Sequence, residues 1–456
     1  MKNLIICLTF FVTLATSSQS FGVELVSKAT VNQQKALTQS FSLTNGIKVI
    51  HRSIPSSDII SMNVIFSGTG VKDIPTGKKS ISNWLWATLP MASEKLSKER
   101  VFEISEKYSI SLGCSEGIEY STCAMDTIND NWNVSLDLFA DLINNPALNK
   151  ADAQLAKDRI VASLKNTPSD PGSYVNEIVN RIFYPKNHPY RLNHDESLKE
   201  LEKLTQPNLK AFHKDALNAT AMTITVVSSL KKEQLKRDLE HAFGKIPKET
   251  VVNTKVPSPE FNLKNAVAFE HREIPTAYIR AKFPSPSATS PDATATKLMF
   301  EILSEELREE IRTKRSLSYS VYAFGIQYSM GIGVVGASTS KPKETLEAIE
   351  LVVERFKKKT YTAEEIEEYK RIFATSYYLT QETHSSLASA ITTSDFYYGN
   401  TDRLYEMPLE LEKVSAKKIN ELANKYLRNF RVGIIYDKKH FKESWAEDFV
   451  KKFAAK

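Results

Sequence analysis

Apolar positions recur along this chain with two periods. Short apolar runs at residues 47–52 and 59–66 predict strands, and recurrence every three to four residues over 80–92 and 98–108 predicts helices. Residues 108–125 read as two short strands around a turn near Gly117, long helices follow, and a buried strand at 221–227 closes the unit. The order then starts again. Strands are predicted at 266–271 and 276–283, helices at 296–314, 342–357 and 363–379, and a last strand at 432–436. Landmarks recur about 210 residues apart: 183–190 faces 396–400, and 209–227 matches 419–436. This is an internal duplication of an α+β unit. Residues 246–259, with Pro247, Pro257 and Pro259 among polar neighbours, read as a connector. The expected organisation is a first domain over 21–247, a linker over 248–262 and a second domain over 263–456.

Composition narrows the class. With 41% hydrophobic and 25% charged residues in 456, the chain is globular and long enough for more than one core. Lys plus Arg number 60 against 54 Asp plus Glu, so the net charge of +6, without visible clustering, gives no footprint for nucleic acid. The N-terminus places Lys2 before an apolar run ending in small residues, so residues 1–20 are expected to be an export signal. An uncleaved anchor is the alternative, and Cys7 lacks the context of a lipoprotein. No later stretch has the length to span a bilayer. Export puts Cys114 and Cys123 in an oxidising compartment, and the predicted hairpin sets them opposite each other. A structural disulfide is expected, with two unpaired buried thiols as the alternative. Without a Cys-x-x-Cys spacing or nearby histidines, a redox or metal pair is not.

The chemistry concentrates around residues 307–322. Leu298, Ile302, Leu307 and Ile311 fall at helical spacing, so a helix ends near Arg315 and residues 317–323 leave it as a strand. Taken alone, Arg312 is a solvated helix cation near Glu309. The stretch nevertheless resembles the C-terminal-half signature of the insulinase/pitrilysin-like zinc metallopeptidases, in which an arginine and a tyrosine seven residues apart straddle such a turn. Arg312 and Tyr319 fall on those positions. The opening strand at 44–50, the segment His188-Pro189-Tyr190 with an expected helix over 198–213, and the duplication itself extend the resemblance through nearly the whole mature chain. It implies two tandem homologous α+β domains, each a sheet flanked by helices, forming one half of a clam-like chamber.

The departures from that family are as informative. Active members carry His-x-x-Glu-His on the first helix, two histidines for zinc and a glutamate as base, with a further glutamate just under eighty residues on. Counting from Gly77, this chain has Ser80, Asn83 and Trp84 there, and Ser163 at the later position. The glycine-rich loop common before the Arg/Tyr helix is replaced by residues 299–306, which contain no glycine. Independently of the family, none of the eight histidines stands three or four residues from another. His188 and His194, with Asp195, are expected to serve packing and capping. No Gly-x-Ser-x-Gly elbow offers another nucleophile.

The resemblance thus implies a zinc-less subunit without peptidase activity of its own. Arg312 and Tyr319 would bind substrate and stabilise a transition state at the zinc of a partner, an exported zinc-bearing paralogue, on a peptide or unfolded polypeptide. No cofactor is expected on this chain. The expected location is the periplasm, or secretion. A non-enzymatic scaffold or peptide-binding protein of the cell envelope is the alternative.

Overall fold

The computed structural model of the chain describes residues 24–250 and 254–454. The expected export signal and Cys7 lie outside the described residues. Two mixed sheets organise the rest. The first contains β1 (Thr38–Ser42), β2 (Lys48–Ser53), β3 (Ile59–Ser67), β4 (Ser111–Ser115), β5 (Tyr120–Ile128) and β6 (Met222–Ser228), in the order β1-β2-β6-β3-β5-β4. The second contains β7 (Val267–His271), β8 (Ala277–Ser285), β9 (Ser320–Gln327), β10 (Gly331–Thr339) and β11 (Arg431–Tyr436), in the order β7-β11-β8-β10-β9. Without β1 the two orders coincide, and in each the pair made of the first and last strand, β2 with β6 and β7 with β11, is parallel while its neighbours are antiparallel. The duplication read from residue spacing is therefore one of topology.

Strand burial explains why some strands were legible. In β5 burial alternates, with Ser121, Cys123, Met125 and Thr127 inward. Residues 60–66 of β3 are buried without a break because both faces are covered. One face of each sheet packs on helices of its own half, forming the two large cores. The other face is covered by a helix from the opposite half. Helix Pro171–Phe183 lies on β7, β8 and β11, with Val175 and Ile178 against Ile435. It packs so closely that a Cβ on Gly433 would meet the Val179 backbone nitrogen at 2.8 Å. Helix His384–Tyr398 lies on β3 and β6, where Ala388 and Ile391 join Ile50 and Val227, and Thr392 Oγ1 sits 2.7 Å from Thr225 Oγ1.

A buried carboxylate joins the halves at their seam. Glu119 accepts from the hydroxyls of Tyr190 and Tyr397 and, at 3.1 Å, from the Ser329 backbone N–H. Residues 254–262 have little regular structure but are tied down: Thr254 N–H donates to Asp73 at 3.1 Å and His188 Nε2 donates to the Pro257 carbonyl at 2.8 Å. With Tyr190 N–H donating to its Nδ1 at 3.1 Å, His188 has both ring nitrogens satisfied in the interior.

Two local expectations need correction. The continuous helix over 198–213 is two, His194–Lys203 and Gln206–Ala216, because Thr205 and Asn208 form a capping box and Pro207 sits in the first turn of the second. The helix over 296–314 begins earlier, as Ala293–Leu307, and its last part, Arg308–Lys314, is wound as a π-helix. Residues 299–306 thus belong to a buried helix and not to a loop.

Candidate functional site

The π-helical end places the arginine. Ile311 is anchored in the core and Glu310, beside it, is held by Arg315 Nε at 2.8 Å and Arg355 Nη1 at 3.0 Å. Glu310 and Ile311 are directed inward, and the residues that follow, from Arg312 to Ser316, are exposed. The chain then reverses at Ser316, whose φ of 50° is left-handed, with Leu317 N–H donating to the Ile311 carbonyl at 2.9 Å. Ser318 Oγ ties the start of β9 by donating to Ser320 and Ser338 carbonyls at 2.9 and 2.7 Å. This turn returns Tyr319 to Arg312, whose guanidinium carbon lies 4.2 Å from the centre of the phenol ring. Tyr319 is 81% exposed, and neither side chain has a hydrogen bond or ion pair among the described residues. Glu309, the simple partner for Arg312, faces Lys314 instead at 3.8 Å.

In the first half, helix Ser80–Thr88 carries three of the four altered positions. Both the N–H and Oγ of Ser80 donate to Glu200 Oε2, at 2.8 and 2.9 Å. Trp84 is buried, donates through Nε1 to the Ala153 carbonyl at 2.7 Å, and carries Lys157 Nζ 4.6 Å above its ring. Asn83 Nδ2 donates to Glu116 Oε1 at 2.9 Å, while Glu116 Oε2 is buried without a partner. Burial pushes the Glu116 carboxyl above its usual range, opposed by the Asn83 amide. Ser80, Asn83 and Glu116 border a cavity of about 130 Å³ that also takes in Lys79, Ile160, Glu177 and His194. His194 Nδ1 stands 3.0 Å from Glu177 Oε2, so His194 pairs within the fold at the start of its helix.

Ser163 does not join them. It is exposed on helix Lys150–Asn166, whose inward positions are Ala153, Lys157, Ile160 and Leu164. The residues at this cavity do not fit zinc, which takes a tetrahedral set of imidazole, thiolate or carboxylate ligands. An indole and a bonded serine occupy two positions, and aliphatic side chains occupy the facing helix. Among the described residues no group of three or more His, Cys, Asp or Glu is placed to hold a metal. Glu116, which replaces nothing in the motif, was not signalled by the sequence because it enters from the β4–β5 turn.

On the same hairpin, Cys114 and Cys123 stand opposite each other in register and are joined as a disulfide. No helix among the described residues is long and apolar enough to cross a membrane.

Comparison with known proteins bears out the family resemblance. Residues 203–373 match the family described as Peptidase M16 inactive domain. A Bacillus subtilis relative named uncharacterized zinc protease YmxG is 19% identical over 394 residues, 85% of this chain and 95% of that protein. A Helicobacter pylori relative named non-peptidase homolog YmxG is 20% identical over 347 residues, 74% of this chain and 80% of that protein. The solved M16 inactive domain of Pseudomonas fluorescens shares the fold, with a TM-score of 0.81 at 18% identity over 88% of this chain and 98% of that one.

Proposed function

From the premise that this chain carries a peptidase M16 inactive domain within a two-domain M16-like fold, we propose that it is the zinc-less subunit of a two-chain peptidase. Its partner is a zinc-bearing paralogue, exported with it, and the partner supplies the metal chemistry. The observation that carries this reading is the Arg312–Tyr319 pair, the guanidinium over the phenol ring, solvent-facing and without a hydrogen bond or ion pair among the described residues. An arginine held in one orientation offers directed N–H donors to a substrate backbone, and the Tyr319 hydroxyl offers one more to a carbonyl gaining negative charge. Neither side chain must break an internal hydrogen bond to do so.

The disulfide and the expected signal support a site of action outside the cytoplasm. A second reading, a scaffold or peptide-binding protein of the envelope, draws support from the relative named non-peptidase homolog.

The test is reconstitution with the co-exported paralogue that retains His-x-x-Glu-His. Alone, this chain should neither cleave peptides nor retain stoichiometric zinc after dialysis. In the mixture, Arg312→Ala or Tyr319→Phe should lower turnover by about 10²–10³-fold, as loss of an oxyanion donor does, with zinc content and assembly unchanged. Undiminished turnover in these variants, or full activity of the paralogue by itself, refutes the shared site and leaves the scaffold reading.

A further inference from the structure

The duplication gives the first-half cavity a counterpart. In the second half a larger cavity, about 290 Å³, is bordered by the equivalent elements: helix Ala293–Leu307, the β9–β10 hairpin through Gln327, and helices Ala363–Leu379, His384–Tyr398 and Asp402–Glu412. Lys297 borders it as Asn83 borders the first, each together with the residues three and four before it, Thr294 and Ala293 in one half and Ser80 and Lys79 in the other. Asn83 is bonded across its cavity to Glu116, whereas Lys297 has no such partner among the described residues.

Lys297 is unusual in its setting. It is the only charged residue among 293–300, a segment whose other residues are all buried, yet its own side chain is accessible and borders the cavity. It makes no hydrogen bond or ion pair among the described residues. The cavity's other charged groups are committed: Arg403 pairs with Glu410 at 2.8 Å, donates to Thr294 Oγ1 at 3.2 Å and stacks on Tyr398 at 4.9 Å. Glu119, behind Tyr397, has its oxygens taken by Tyr190, Tyr397 and Ser329. One positive charge therefore remains uncompensated. Surrounding protein and the Arg403 charge lower the Lys297 ammonium from its ordinary range, with Glu410 opposing. The rest of the wall combines Tyr377, Tyr398 and Met407 with the uncharged polar side chains of Gln327, Ser389 and Thr393.

We propose that this cavity binds a carboxylate attached to a small apolar body, the carboxylate taken by Lys297 and the body by the tyrosine wall. A single unpaired cation beside a tyrosine wall selects one anionic group attached to an apolar body. The site is separate from Arg312, roughly 20 Å further along the same helix at about 1.5 Å per residue, and the inference does not depend on the shared-site reading. Such a carboxylate comes either from a free acid or from the C-terminus of a peptide.

The purified full chain should be titrated calorimetrically with N-acetyl-phenylalanine, its amide, and a pentapeptide ending in free or amidated phenylalanine. The acid should bind and the amide fail. Binding of the free pentapeptide as well identifies a peptide-terminus site, and binding of the acid alone identifies a metabolite site. Lys297→Met should weaken the acid at least tenfold and Lys297→Arg should retain most of the affinity. As an independent readout, the acid but not the amide should protect Lys297 from an amine-reactive ester, read by mass spectrometry. Equal binding of acid and amide, an unchanged Kd in a folded Lys297→Met, or no acid binding up to about 10 mM overturns the proposal.

Discussion

The two halves share a strand order and an arrangement of helices, but their corresponding cavities have opposite contents. That of the first half holds about 130 Å³, with Lys79, Glu116 and Glu177 at its edge. That of the second holds about 290 Å³ and presents Lys297 and Arg403. In the first, polar side chains bond to one another or to backbone, with one oxygen of Glu116 left over. In the second, a whole ammonium group is left over. One framework thus supports a cavity whose polar groups are largely paired and another with an unpaired ammonium, and the difference rests on a few side chains of the repeat.

The sharpest way to break this comparison is to substitute one side chain from each of the two equivalent helices. Trp84→Ala should cost about 3–5 kcal/mol, since it removes a large buried side chain and orphans the Ala153 carbonyl. Lys297→Ala should change stability by no more than about 0.5 kcal/mol. Urea unfolding measures both, and equal costs would mean that Lys297 is packed as tightly in its half as Trp84 is in the other.

A second asymmetry is covalent. The disulfide ties β4 to β5, while the equivalent β9 and β10 have none. Replacing both cysteines by serine should cost about 2–3 kcal/mol through the denatured state. Non-reducing peptide mapping should recover Cys114 linked to Cys123, and full thiol labelling of the unreduced, denatured chain would count against it.

The seam sharpens the comparison, since it belongs to both halves. Glu119→Gln preserves shape but exchanges one oxygen for an NH₂ that cannot accept from a tyrosine hydroxyl, at about 1–3 kcal/mol. Both halves should still unfold in one calorimetric transition. Two separated transitions in the parent would show that the seam does not couple them.

The smallest effect is one of pH. Burial depresses the Lys79 ammonium to about 8, partly offset by Glu200 and Glu196, although three carbonyls, of His188, Pro189 and Arg191, accept from it. Between that value and the ordinary 10.5 the unfolded chain holds the proton and the folded chain has released it. Stability therefore rises with pH there, by about 1 kcal/mol between roughly pH 8 and 9. Lys79→Met should lose that rise in urea midpoints. Lys282 in β8, also depressed to about 8 by burial, would keep a similar rise from the other half.

Strands with a clear local pattern, such as β3 and β11, were legible in the sequence, and so was helix Ala363–Leu379 to the residue. The Arg312–Tyr319 meeting was legible through the family signature, but the π-helical winding that directs Arg312 outward was not, because it depends on Glu310 reaching Arg355 from a distant helix. Ser163 illustrates a different limit. Every three or four residues a helix presents another candidate to the same neighbour, so counting along the chain can land on the wrong face, and only packing against Trp84 selects Lys157 and Ile160. The exchange of helices between sheets was invisible for a related reason: an apolar stripe on residues 171–183 does not say which sheet it meets.

That exchange sets an order of events in synthesis. The face of β3 and β6 is covered by residues 384–398, so the first sheet cannot be completed until more than four-fifths of the chain has been made. A chain translocated N-terminus first would hold this face, which mixes Ile50 and Val227 with Asn63 and Thr225, uncovered throughout its passage, an incomplete state prone to aggregation. For the same reason a cut in the connector yields two fragments that each lack a cover for one sheet, so they would be expected to fold only together.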